Sequence, residues 1–325
     1  MSKREPSSYR LTLKKPDDFD TFWANVMTEA DAIPLNPTLT PVPLRSDDDV
    51  EVFEAHYDSL DGLRIAGWYC LPRKRDGLVG PLPTIVVYPG YISEPTLPKD
   101  WARQGYAAFG AAPRGKLRSN ARFNPGYPGL LTHNITDKNS YGYKGFYVDA
   151  IRAIDFLLAQ PDVDAKRIGL TGGSQGGALT ILVAAMRNDV IAAAAPQAPY
   201  LCGYMDSAKL THTYPYEEMN EYLHLHPGSA QAMADALEYY DLVNFAPRIT
   251  CPIMVNIGLQ DDVVPPETGY AVFNAISSAD KKLFAYDGYG HDANVYEHGA
   301  LINKFFDEQL KQGKRAQTTA NLAGF

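Results

Sequence analysis

The segment Arg167-Ile-Gly-Leu-Thr-Gly-Gly-Ser-Gln-Gly-Gly-Ala178 constrains the fold of this chain more than any other. A short apolar run, Ile168–Thr171, stops at a glycine-rich turn, and a helical run, Ala178–Met186, follows directly. Inside the turn stands Gly172-Gly173-Ser174-Gln175-Gly176, a G-x-S-x-G pattern. A strand that becomes a helix within so few residues needs close backbone packing, and Gly172 and Gly176 supply it where a Cβ would clash. The setting is that of a nucleophile elbow, with Ser174 in a strained turn and its hydroxyl clear of the sheet. A structural serine in a glycine-rich turn is the plainer alternative.

The rest of the chain repeats the strand-then-helix rhythm. Strand-length apolar runs occur at Thr84–Tyr88, Tyr106–Gly110, Val190–Ala195, Ile253–Gly258 and Leu283–Tyr286. They are continuous rather than alternating, as in strands buried on both faces of a sheet. Helical patterns lie between several of them, at Phe146–Gln160 and Glu267–Ser278. Such alternation predicts an α/β protein with a mostly parallel central sheet flanked by helices.

Before this core, residues 17–31 read as an amphipathic helix, with Phe19, Phe22, Trp23 and Val26 at helical spacing. Residues 51–58 and 63–71 read as an antiparallel hairpin about Ser59-Leu60-Asp61-Gly62. The stretch from Cys202 to Phe245 breaks the rhythm and reads as an inserted helical segment, a lid or an oligomer contact rather than a second domain. The expectation is therefore a single domain over residues 1–325, with an N-terminal extension at 1–80, an insertion at 202–245 and a frayed tail at Gly313–Phe325.

Composition narrows the partners. Thirty basic and thirty-eight acidic side chains leave a net charge of −8, which opposes binding to nucleic acid or an anionic membrane. Three scattered cysteines with no CxxC pair indicate neither a disulfide framework nor a thiolate zinc site. The first twenty residues hold no apolar run fit for a signal peptide, and no apolar stretch approaches the roughly 18 residues of a membrane span. A soluble, cytoplasmic protein is expected.

A serine hydroxyl needs a base and an orienting carboxylate, which in this architecture follow it as acid, then histidine. Of seven histidines, His291 in Tyr289-Gly290-His291-Asp292 follows an apolar strand in a glycine-containing loop, and it is the candidate base. His298 reads as a surface residue of the final helix, and His56 and His133 as surface or hydrogen-bonded residues. His224 and His226 lack the further ligands of a metal site. For the acid, Gly258-Leu-Gln-Asp261-Asp262 ends the strand Ile253–Gly258, and spacing leaves Asp261 and Asp262 both open. The amide of Gln175, at a helix N-terminus, is one candidate oxyanion donor. The amide of Tyr91, in the Pro89-Gly90-Tyr91 loop after an early strand, is the other, with its ring as a pocket wall.

Taken together, the sequence resembles the acetyl xylan esterases and cephalosporin C deacetylases (carbohydrate esterase family seven). The segments that carry the likeness include PGLLTHNI at 128–135, FYVDAIRAIDFL at 146–157, RIGLTGGSQGG at 167–177 and YPYEEMNEYL at 214–223. The long stretch at 239–268 and YGHD at 289–292 complete it. The resemblance implies an α/β-hydrolase fold and a serine esterase acting on a small-molecule ester, chiefly by removing acetyl groups from sugars or related alcohols. It further implies Ser174 as nucleophile, His291 as base, Asp261 rather than Asp262 as acid, Tyr91 and Gln175 as oxyanion donors, no cofactor, and a homo-oligomer, typically a hexamer. Three local departures stand out: Arg114-Gly115-Lys116 replaces the family's RGQ, Ile92-Ser93-Glu94 its Asn-Gly-Gly, and His291-Asp292 its HE pair. Lys116 is expected to bring a charge, and Glu94 an acid, to the pocket. A peptidase or lactone hydrolase with the same triad, or a hydrolase-fold binding protein without activity, are the competing readings.

Overall fold

The computed structural model describes residues 5–73 and 80–311, and the expectation for the tail at Gly313–Phe325 lies outside them. Among the described residues, nine strands form one sheet: β1 (Thr38–Pro41), β2 (Val50–Ser59), β3 (Leu63–Pro72), β4 (Leu82–Tyr88), β5 (Ala107–Ala112), β6 (Val163–Gly173), β7 (Ile191–Gln197), β8 (Ile253–Gly258) and β9 (Lys281–Tyr286). Their order is β1-β2-β3-β5-β4-β6-β7-β8-β9. From β5 to β9 every neighbouring pair is parallel, while β1, β2, β3 and β5 pair antiparallel.

The expected hairpin is thus present and adds to the edge of the parallel sheet. Its turn carries Asp61 and Gly62 at positive φ of 63° and 64°. The short edge strand β1, which includes a proline, has too little apolar content to be legible in the sequence.

The α-helices are α1 (Phe19–Asp31), α2 (Lys99–Arg103), α3 (Gly142–Leu158), α4 (Gln175–Met186), α5 (Tyr204–Leu210), α6 (Glu217–Leu225), α7 (Ala230–Leu237), α8 (Leu242–Phe245), α9 (Pro266–Ala275) and α10 (Val295–Phe306). Among the described residues, no helix is long and apolar enough to cross a membrane. The insertion after β7 holds α5 to α8. α1 buries Phe19, Trp23, Val26 and Ala30 on one face, and Trp23 Nε1 donates to the Tyr239 carbonyl at 2.7 Å. Helix α1 therefore anchors the end of the insertion.

Strand β4 explains why the central runs are continuous. Val86 and Tyr88 pack into the large core shared with α3 and α4, while Ile85 packs on the opposite face against Ile302, Phe305 and Phe306 of α10. Apolar layers on both faces remove alternation, and each such fully buried side chain contributes roughly 1.5–3 kcal/mol. One expectation fails here. His298 of α10 is fully buried rather than on the surface, its Nδ1 2.8 Å from the Tyr286 hydroxyl and its ring against Phe284. His298 stands on the same face of α10 as buried Ile302, Phe305 and Phe306, the face that packs on the sheet. Burial pushes the pKa of His298 down to about 4.

The chain leaves β4 for β5 on one side and returns to β6 on the other, so the strand order reverses at β4. Ligands of open α/β sheets bind beyond the C-terminal ends of strands at such a reversal. Tyr91 and Ser174 follow those two ends.

Candidate active site

Ser174 links β6 to α4 with φ +56° and ψ −117°. A non-glycine residue held there stores of the order of 1–3 kcal/mol of strain, so its surroundings must fix it. Its N–H donates to the Gln197 carbonyl at 2.9 Å, and its carbonyl accepts from the amides of Ala178 at 2.9 Å and Tyr200 at 3.1 Å. A Cβ on Gly176 would lie 2.2 Å from the Tyr88 carbonyl oxygen, and one on Gly172 2.7 Å from that same oxygen. The turn is therefore pressed directly onto the end of β4, and only hydrogen atoms fit between.

Asp261 sits in the turn after β8. Its Oδ1 accepts from the amides of Val263 at 2.9 Å and Val264 at 2.8 Å, and its Oδ2 lies 2.8 Å from His291 Nδ1. The carboxylate is 2 % exposed and the imidazole 29 %. Asp262, its neighbour, is exposed. The two loops are laced together by backbone: Leu259 N–H donates to the Tyr286 carbonyl and Gln260 N–H to that of Tyr289, both at 2.9 Å. A Cβ on Gly258 would lie 2.0 Å from the Gly290 carbonyl oxygen, so the absence of a side chain lets the loops cross. A carboxylate at Nδ1 requires the proton on that nitrogen and leaves Nε2 to accept one.

Ser174 and His291 line one cavity of about 820 Å³. Among the described residues Ser174 Oγ makes no hydrogen bond, so the structure joins Asp261 to His291 directly and Ser174 to them only through the shared cavity. Hydrogen bonds of this kind are often long before substrate is bound.

Gln175 opens α4, so its backbone N–H is one of the first four amides that have no acceptor within the helix. Its buried side chain points elsewhere, with Nε2 donating to the Tyr143 hydroxyl at 2.7 Å. Tyr91 lines the cavity as expected, yet its ring does more than form a wall. The hydroxyl donates to Glu218 Oε1 at 2.7 Å and accepts from the Leu131 amide at 3.0 Å, while Glu218 Oε2 accepts from the Gly129 amide at 2.8 Å. Burial raises the pKa of Glu218, against the pull of these donors.

Glu94, Glu218 and Asp292 bring carboxylates to the cavity lining. Lys116 does not reach it. The ammonium is fully buried behind the loop and donates to the carbonyls of Gly90 at 2.8 Å and Tyr91 at 2.5 Å. The sequence showed the charge but not its direction. Glu218 was missed altogether, since Glu217-Glu218 in an irregular insertion gives no sign of which carboxylate turns inward. His224 and His226 sit at the end of α6, and among the described residues no group of three His, Cys, Asp or Glu side chains could hold a metal ion.

A doubly flanked parallel sheet with a serine elbow beyond β6, and a carboxylate and a histidine beyond β8 and β9, is the architecture of an α/β hydrolase. Within that class, the acetyl xylan esterase (AXE1) family matches residues 1–308, and the protein belongs to that family. It is 31% identical over 295 residues to the acetyl esterase Axe7A of Xylanibacter ruminicola, spanning 86% of this chain but only 64% of that protein's length. Its structure is similar to that of an acetyl xylan esterase from Paenibacillus sp. R4, with a TM-score of 0.85 and 31% identity over 95% of this chain and 100% of the other. Acetyl xylan esterase 1 from a Thermoanaerobacterium species shares the fold at the same TM-score of 0.85 with 24% identity, covering 95% of this chain and 99% of that one.

Proposed function

We propose that this protein is a serine esterase that hydrolyses short-chain acyl esters, chiefly acetyl esters, of sugars or related small alcohols. The observation that carries the reading is the 2.8 Å Asp261–His291 contact on the wall of the cavity that also receives the strained Ser174. With Asp261 holding the Nδ1 proton, His291 Nε2 takes the proton of Ser174 as Oγ attacks the ester carbonyl. The amides of Tyr91 and Gln175 stabilise the tetrahedral oxyanion, each worth about 3 kcal/mol of barrier. The protonated imidazole then gives its proton to the leaving alcohol, and water repeats the sequence on the acyl-serine. Apart from the ester and water, the steps draw on side chains and backbone of this chain.

A cavity of about 820 Å³ suits a small ester rather than a polymer strand held along its length. The hairpin extends the same sheet as the elbow, which favours one catalytic unit rather than two domains. Exposed Ile92 and Tyr214 on the cavity wall, with exposed Tyr296 nearby on α10, favour a homo-oligomer that covers this apolar rim; sedimentation or a sizing column tests it.

The decisive experiment is Ser174→Ala assayed on p-nitrophenyl acetate, beside an acyl-chain-length series and an aminoacyl anilide. The expected result is loss of turnover, a steep fall from acetyl to longer chains and no anilide cleavage. Turnover within tenfold of the parent rejects the nucleophile, and preferential anilide cleavage replaces the esterase with a peptidase.

A further inference from the structure

We infer that Lys116 is the positioning residue of the oxyanion side of the cavity: its buried ammonium holds the Gly90 and Tyr91 carbonyls from behind and turns the Tyr91 amide toward the reacting carbonyl. This rests on the esterase reading above and adds to it a residue that reading does not use.

The argument begins with one peptide plane. The Gly90 carbonyl and the Tyr91 N–H belong to the same trans peptide and point in opposite directions. Gly90 and Tyr91 line the cavity, while Lys116 is fully buried and lies outside its lining. A donor that pulls the Gly90 oxygen away from the cavity therefore aims the Tyr91 amide into it. Lys116 Nζ is that donor, at 2.8 Å, and its second bond, 2.5 Å to the Tyr91 carbonyl, fixes the next plane as well. The ammonium also lies over the Tyr127 ring, 4.4 Å from its centre.

The segment that delivers Lys116 is itself immobilised. The Arg114 amide donates to Asp149 Oδ2 at 2.9 Å, and its guanidinium grips both oxygens of that carboxylate at 2.8 and 3.0 Å. Asp61 takes a further bond from Arg114 at 2.5 Å. A bidentate buried pair of this kind sets direction as well as distance.

Charge distinguishes Lys116 from a neutral donor such as the glutamine of the RGQ pattern. A cation behind the loop polarises the peptide toward the cavity and favours the negative charge that develops there. The titratable groups around it are few. Glu94 in the neighbouring loop supports its charged form, the Tyr127 ring faces it, Arg114 is committed to Asp149 and Asp61, and the Tyr91 hydroxyl is directed at Glu218. Burial outweighs Glu94 and brings the Lys116 pKa down to about 8. The ammonium is then present below that value and lost as pH rises through it, leaving a neutral amine that holds the carbonyls less tightly.

The test uses the full chain and p-nitrophenyl acetate from pH 6 to 10, with Lys116→Met, Lys116→Gln and Ser174→Ala compared with the parent. Lys116→Met is expected to lower kcat about tenfold to a hundredfold with KM within twofold, because a misaimed donor is lost only in the transition state. The parent's decline above pH 8 should vanish in both lysine variants. Lys116→Gln should recover part of kcat through its amide donors. A kcat within twofold of the parent, or a decline above pH 8 that persists in the variants, overturns the inference while leaving the esterase intact. Turnover retained by Ser174→Ala removes the esterase reading, and this inference with it. If Lys116→Met fails to fold, the pH limb of Lys116→Gln decides alone.

Discussion

The two strands that end at the cavity, β4 and β6, deliver their candidate site residues by different means. On the β6 side, Ser174 and the Gln175 amide are set by backbone alone: a positive φ, three main-chain hydrogen bonds and glycines that admit the Tyr88 carbonyl at a distance no side chain would tolerate. On the β4 side, the loop carrying Tyr91 is held by side chains from far along the chain, Lys116 behind it and Glu218 of α6 on the tyrosine hydroxyl. Backbone geometry does not titrate. Buried ammonium and carboxylate groups do, so of these two loops the one carrying Tyr91 is the one expected to respond to pH.

The largest expected effect falls on His291, the proposed base. Asp261→Asn keeps the shape but inverts the hydrogen-bond demand on Nδ1, and kcat on p-nitrophenyl acetate should fall about 10⁴-fold. A loss below tenfold would mean that Asp261 does not orient the base. Next comes the backbone-built side. Gly176→Ala pushes a methyl against main chain that has nowhere to move, and should cost about 3 kcal/mol or more in urea unfolding while displacing Ser174. Near-parental stability would erase the contrast between the two sides.

The smallest effect belongs to the side-chain-built half. Tyr91→Phe removes a donor from the buried Glu218 carboxylate and should destabilise by about 1–3 kcal/mol. The sign with pH follows from the raised pKa of Glu218. Over the interval between its unfolded and folded values the folded state binds more protons, so its contribution to stability declines as pH rises. The lost phenol served the ionised form, so the deficit of Tyr91→Phe should widen with rising pH and narrow in acid. A deficit constant across a pH series of melts would assign the tyrosine to packing alone.

What was legible in the sequence follows the same division. The elbow could be read because its chemistry is written in consecutive residues, Gly172 to Gly176, next to a strand and a helix that share the strain. The β8 strand and the loop before α10 were legible from apolar runs and turn residues. Spacing could not separate Asp261 from Asp262, because what separates them is burial: one carboxylate turns in to His291 and the other faces water. The long-range ties were not legible at all. Nothing local to Lys116 announces that it bonds to a loop twenty-five positions earlier, and nothing in the glutamate pair of α6 reveals which member reaches Tyr91. His298 was misread because a lone histidine beside Glu297 looks like surface until the sheet beneath the helix is known.

The seam between Glu218 and the Tyr91 hydroxyl has a bearing on traffic through the molecule. Were the inserted helices to swing outward, a phenol and the Gly129 amide would be stripped of their acceptor, and the loop carrying Tyr91 would lose that tie at the same moment. The insertion is thus tied to the cavity wall through Glu218. Under the esterase proposal, the cavity wall that carries exposed Ile92 and Tyr214 then bounds which acyl compounds are admitted.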